Sequence, residues 1–125
     1  MEKVTGIGGV FFRSADPAAL QAWYVEHLGL PSDNDGFVVM AWGGEVSGST
    51  VWSAFADDTD YFGDRSQQSM INYRVGDLDA MLAQLRAAAV PVADEIEVLD
   101  GVGRFGWATD PEGNRFELWE PAMGA

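Results

Sequence analysis

Cysteine is absent from this 125-residue sequence, which excludes a disulfide framework, thiolate zinc sites and a cysteine nucleophile, and fits a reducing compartment. Histidine occurs once, at His27, in the last turn of an expected helix, where it serves the helix dipole rather than a metal or a Ser/His pair. Cationic side chains are scarce: seven Lys and Arg stand against twenty Asp and Glu, a formal net charge of -13. That sign repels phosphate backbones and anionic membranes, so neither nucleic acid nor membrane is expected as a partner; it serves solubility and attracts cations. No apolar run approaches the ~20 residues of a membrane span, and the start, Met1-Glu2-Lys3-Val4-Thr5, has no signal-peptide core. A soluble cytoplasmic protein is expected. There is also no G-x-S-x-G elbow and no phosphate-cradling glycine loop, and Gly101-Val102-Gly103 reads as a turn.

What is present is a unit written twice. A strand-like run over Ile7 to Ser14 ends at Asp16-Pro17, an N-cap followed by proline at the first helical position, and Leu20, Trp23, Tyr24 and Leu28 then recur at helical spacing up to Gly29. A shift of 61 residues finds the same order in Ser69 to Val75, Asp77, and Leu78, Met81, Leu82 and Leu85. Strand-like stretches follow each helix: Phe37 to Trp42, Thr50 to Phe55 and a short one near Asp60, then Glu95 to Leu99, Arg104 to Thr109 and Arg115 to Trp119. The reading is one domain over 1–125 of class α+β. It holds two tandem βαβββ units, about 4–57 and about 69–121, with a polar connector at about 57–68. A chain of this length buries roughly two-thirds of its unfolded surface and needs no metal merely to fold. The connector's Asp57-Asp58-Thr59-Asp60 resembles a calcium loop only superficially, since Phe62 and Ser69 stand where ligands belong.

The last strand carries the strongest signature. Asp110-Pro111-Glu112-Gly113-Asn114 supplies the residue types of a tight turn, and alternation after it places Arg115, Glu117 and Trp119 on one face and Phe116, Leu118 and Glu120 on the other. This D-P-E-G-N-R-F-E-L-W-E-P run resembles the closing hairpin of the glyoxalase / bleomycin-resistance / extradiol-dioxygenase superfamily, also called vicinal oxygen chelate. The resemblance covers nearly the whole chain. It implies curved mixed sheets that enclose a cleft, helices on the outer faces, and a homodimer.

The resemblance also implies a metal site with one ligand from each of four strands, the last matching Glu117. The other three positions fall on Gly9, Trp52 and Met70, which cannot hold a hard or borderline divalent cation, so no metal and no cofactor is expected. With Glu117 facing inward, Gly9, Phe11 and Arg13 in the first strand, and Met70, Asn72 and Arg74 in its repeat, take the cleft side, while Phe12, Trp23 and Phe116 read as core. Candidate ligand-binding residues are then Phe11, Trp52, Met70, Asn72, Phe105, Trp107, Arg115 and Trp119, with Glu117 as the candidate catalytic group. Such an aromatic wall with few polar groups suits a cationic or aromatic small molecule; the same aromatics would equally fill a core or a dimer seam. Two functional classes remain open. One is a metal-free binding protein of the bleomycin-resistance type; the other is a glyoxalase-like lyase, isomerase or dioxygenase using Glu117 as general base or metal ligand.

Overall fold

A computed structural model describes residues 1–31 and 36–125. Seven strands and two helices run in the order β1 (Val4–Ser14), α1 (Pro17–Leu28), β2 (Phe37–Ala41), β3 (Ser49–Ala56), β4 (Ser69–Val75), α2 (Leu78–Ala87), β5 (Glu97–Leu99), β6 (Gly103–Thr109) and β7 (Arg115–Pro121). This is the expected α+β class. The chain forms two compact units: Gly9–Met70, and Met1–Gly8 together with Ile71–Ala125. β1 contributes to both, and its first residues are tied into the second unit. Glu2 exchanges backbone bonds with the Gln84 side chain, and the Thr5 hydroxyl donates to the Arg74 carbonyl.

In the first unit β3 lies between β1, its parallel neighbour, and β2, its antiparallel one. α1 starts as its sequence dictates, with the Asp16 carboxylate accepting the Ala19 N–H at 3.1 Å and Pro17 opening the helix. Its expected core residue Trp23 is instead half exposed, its ring edge-on to Tyr24 and tilted against His27. Tyr24 packs against Trp52 of the sheet. The strand expected near Asp60 is not formed. Residues 57–68 are turns, gathered by Arg13, which donates to the carbonyls of Asp57, Thr59, Asp64 and Gln67 and lies over the Phe62 ring. A guanidinium thus occupies the carbonyl cluster that a calcium loop would offer to a cation, and Arg13 acts as a clamp on the connector.

In the second unit β7 lies between β4, parallel, and β6, antiparallel, and β6 carries β5. α2 is capped by Asp77, whose carboxylate accepts the Ala80 N–H at 3.0 Å, while Glu120 accepts the N–H of Leu78. Its stripe of Leu78, Met81 and Leu82 buries against Val75 and Leu118, with Tyr73, Leu85 and Phe116 packed around them. That apolar cluster fixes the facing of every β7 residue. Since Phe116 and Leu118 go to the helix, Arg115, Glu117 and Trp119 must go to the opposite face.

Candidate functional site

The face of the second unit opposite α2 is written in two rows that cross three strands. Asn72 pairs with Glu117 and Glu117 with Trp107, one residue each from β4, β7 and β6; one step on, Arg74 pairs with Trp119 and Trp119 with Phe105. The hairpin between β6 and β7 sets this alignment. Asp110 accepts the backbone N–H groups of Glu112 and Asn114 at 2.9 Å each, and Gly113 turns the chain at φ 85°. These hydrogen bonds, that from Asn114 first, hold the Asp110 carboxyl below its ordinary value.

The first row is a hydrogen-bonded chain. Asn72 Nδ2 donates to Glu117 Oε1 at 2.6 Å and Trp107 Nε1 donates to Glu117 Oε2 at 2.9 Å. Asn72 is 1% exposed, Glu117 2% and Trp107 4%, so the carboxylate is buried but has a charge-assisted donor on each oxygen. The second row is a stack. The Arg74 guanidinium lies 4.7 Å from the Trp119 ring, and Phe105 lies parallel to Trp119 at 5.9 Å. Its polar atoms are bound to backbone, Trp119 Nε1 to the Val102 carbonyl and Arg74 Nη2 to that of Ala125. Burial moves the Arg74 guanidinium below its ordinary value. Arg115 completes the face, its guanidinium 5.2 Å over the Trp107 ring.

Six of the sequence candidates, Asn72, Phe105, Trp107, Arg115, Glu117 and Trp119, therefore share one face of one unit. Phe11 and Met70 are buried in the other unit, 5% and 1% exposed. Phe11 packs on Phe55, which also meets Phe37, Tyr61 and Phe62, an aromatic group the strand alternation alone did not reveal. Trp52 is misplaced by the sequence reading. It packs between Phe12 and Tyr24, both at 5.1 Å, on the α1 side of its sheet. The reason is register: Phe11 pairs with Ser53 as Asn72 pairs with Glu117, so the first-half counterpart of Glu117 is Ser53 and its neighbour Trp52 alternates away.

Both Glu117 oxygens accept N–H groups, Gly9 and Met70 offer nothing to a hard cation, and the Ser53 hydroxyl donates to the Gly36 carbonyl. Among the described residues no three His, Cys, Asp or Glu side chains form a group that could hold a metal ion.

Gly8 belongs to the site and was not anticipated. A Cβ there would collide with Asn72 Oδ1 and approach Trp119 Cε3 at 2.8 Å and Arg74 Cγ at 3.0 Å. Adjacent glycines inside a strand, here Gly8-Gly9, are the signal of such a close approach.

The family model of the glyoxalase-like domain matches residues 9–119. The chain belongs to the glyoxalase-like domain family, within the vicinal oxygen chelate superfamily. Solved structures of other members share its fold. A methylmalonyl-CoA epimerase bound to methylmalonyl-CoA and NH4+ superposes with a TM-score of 0.72 at 16% identity, covering 98% of each chain. The methylmalonyl-CoA epimerase of Mycobacterium tuberculosis gives 0.63 at 23% identity, over 95% of this chain and 89% of its own. A Streptomyces coelicolor methylmalonyl-CoA epimerase variant in complex with 2-nitronate-propionyl-CoA gives 0.71 at 16% identity, over 98% of each. No protein of curated function matches the sequence. No helix among the described residues is long and apolar enough to cross a membrane.

Proposed function

We propose that this glyoxalase-like protein binds a planar aromatic small molecule without a metal ion, at the partly exposed Phe105 and Arg115 that border the buried row of Asn72, Glu117 and Trp107 and the Trp119 ring. The observation that carries this reading is the pair of N–H donors on Glu117, from Asn72 and Trp107. Each makes a direct hydrogen bond to one oxygen of a buried acidic side chain and fixes its orientation. The alternative is a lyase, isomerase or dioxygenase in which Glu117 is general base or metal ligand. Two guanidinium groups, Arg74 and Arg115, lie on the face with one carboxylate, a balance that favours a planar aromatic ligand over a simple cation.

The test is elemental analysis of purified protein followed by a thermal-shift screen of planar aromatic compounds. The expected outcome is no stoichiometric metal and saturable binding, weakened about tenfold by Trp119→Ala, ~1.4 kcal/mol. About one zinc, nickel or iron per chain, lost on Glu117→Ala, would overturn the metal-free reading. Turnover of a screened compound that falls about 100-fold in Glu117→Gln with binding intact would establish the general base instead.

A further inference from the structure

The two units repeat the same pairing but not the same width. In the second, β7 lies beside β4, β6 beside β7 and β5 beside β6; in the first, β3 lies beside β1 and β2 beside β3, and among the described residues no further strand pairs with β2. β2 is thus open along the edge that its counterpart β6 has covered. The register says which backbone groups line that edge. Trp42 donates its N–H to the Gly48 carbonyl at 2.9 Å, one step beyond the pairing of Ala41 with Ser49. Hydrogen-bonded pairs therefore recur at Met40 and Val38, and the N–H and C=O groups of Phe37, Val39 and Ala41 point away from β3. The side chains of the same three residues share one face and are exposed, Phe37 at 43% and Val39 at 48%.

Strand edges that remain open are commonly blunted by charge. β5, the outer strand of the second unit, follows that rule, with Asp94, Glu95, Glu97 and Asp100 exposed in and around it. β2 breaks it: residues 37–44 hold no charged side chain, in a chain with twenty acidic residues and a net charge of -13. Along this strand two copies align with no carboxylate set against another, so the repulsion that opposes contact elsewhere is least here.

We propose that β2 is the seam of a symmetric dimer, pairing antiparallel with β2 of a second copy about a twofold axis at Val39. Val39 then exchanges both backbone hydrogen bonds with the partner subunit's Val39, and Phe37 lies across from the partner subunit's Ala41, a large side chain against a small one on either side of the axis. β5 stays outside the seam. The inference is independent of the ligand reading above.

Light scattering of the full-length protein at micromolar concentration compares wild type with three single variants. Wild type is expected to be a dimer. Val39→Lys sets two ammonium groups against each other at the axis, and Ala41→Pro removes an outward N–H while leaving the β2–β3 ladder its hydrogen bonds. Each should raise the dimer dissociation constant about tenfold or more. Val98→Lys, the same charge placed on β5, should leave it unchanged. A wild-type monomer at every salt concentration overturns the proposal, and so does a dimer that Val39→Lys and Ala41→Pro leave intact or that Val98→Lys breaks. Circular dichroism checks the folding of each variant; should Val39→Lys fail to fold, Ala41→Pro against Val98→Lys decides.

Discussion

At the scale of single residues, the Asn72–Glu117–Trp107 chain predicts that two substitutions of one carboxylate behave very differently. Glu117→Leu leaves the N–H groups of Asn72 and Trp107 bare in a buried setting, a loss of about 2 to 5 kcal/mol when each orphaned donor costs about 1–3 kcal/mol. Glu117→Gln has a way out. Trp107 takes the glutamine oxygen, the glutamine NH2 turns to Asn72, and Asn72 flips to receive it, holding the loss to roughly 1.5 kcal/mol or less. Urea denaturation of the two variants checks this, and equal losses would show that the row is not a connected chain. Strand alternation made the facing of Glu117, Asn72 and Trp119 legible from the sequence, because the turn before Arg115 fixes where β7 begins. It failed for Trp52, since the glycine-rich stretch at 43–48 hides the start of β3 and one residue of offset exchanges the two faces. It also could not show Asn72 Oδ1 in the notch of Gly8, which depends on the depth of contact between strands rather than on period.

At the scale of elements, the 61-residue repeat and strand alternation placed both helices and all seven strands in the chain, and the eighth strand expected, near Asp60, is instead part of the Arg13-clamped connector. Arg13 reaches four carbonyls because a guanidinium is a planar fork of donors; a lysine ammonium cannot. Arg13→Lys should therefore loosen residues 57–68 and speed tryptic cleavage after Arg65, whose side chain is 66% exposed. Unchanged cleavage rates would show that the connector is held by other contacts. The β6–β7 turn carries a pH dependence of known sign. The Asp110 carboxyl lies below its ordinary value in the folded chain, chiefly through its hydrogen bond from the Asn114 backbone, so its contribution is complete above the unfolded value of about 3.9 and is lost as pH falls through the lower folded value. Asp110→Asn should melt below wild type at pH 7, with the gap closing in acid; a gap constant across pH would assign the loss to shape rather than charge.

At the scale of the whole molecule, a net charge of -13 sets a long-range repulsion between copies, yet the outermost strands of both units invite pairing. β2 and β5 each pair on one side only among the described residues, and Phe37, Val39, Val98 and Leu99 are exposed on them. A homodimer is therefore proposed, stabilised as added salt screens the repulsion. Light scattering should give twice the 13.5 kDa chain mass at micromolar concentration, and a monomer at every salt concentration would end that claim. The buried row also supplies the molecule with an internal beacon. Of its five tryptophans, Trp107 directs its indole proton onto a buried carboxylate, whereas Trp42 and Trp119 direct theirs onto a hydroxyl and a backbone carbonyl. The Trp107 indole proton should resonate apart from the others and exchange slowly with deuterated solvent, so that any disturbance of the Glu117 side chain announces itself as the movement of one spectral line.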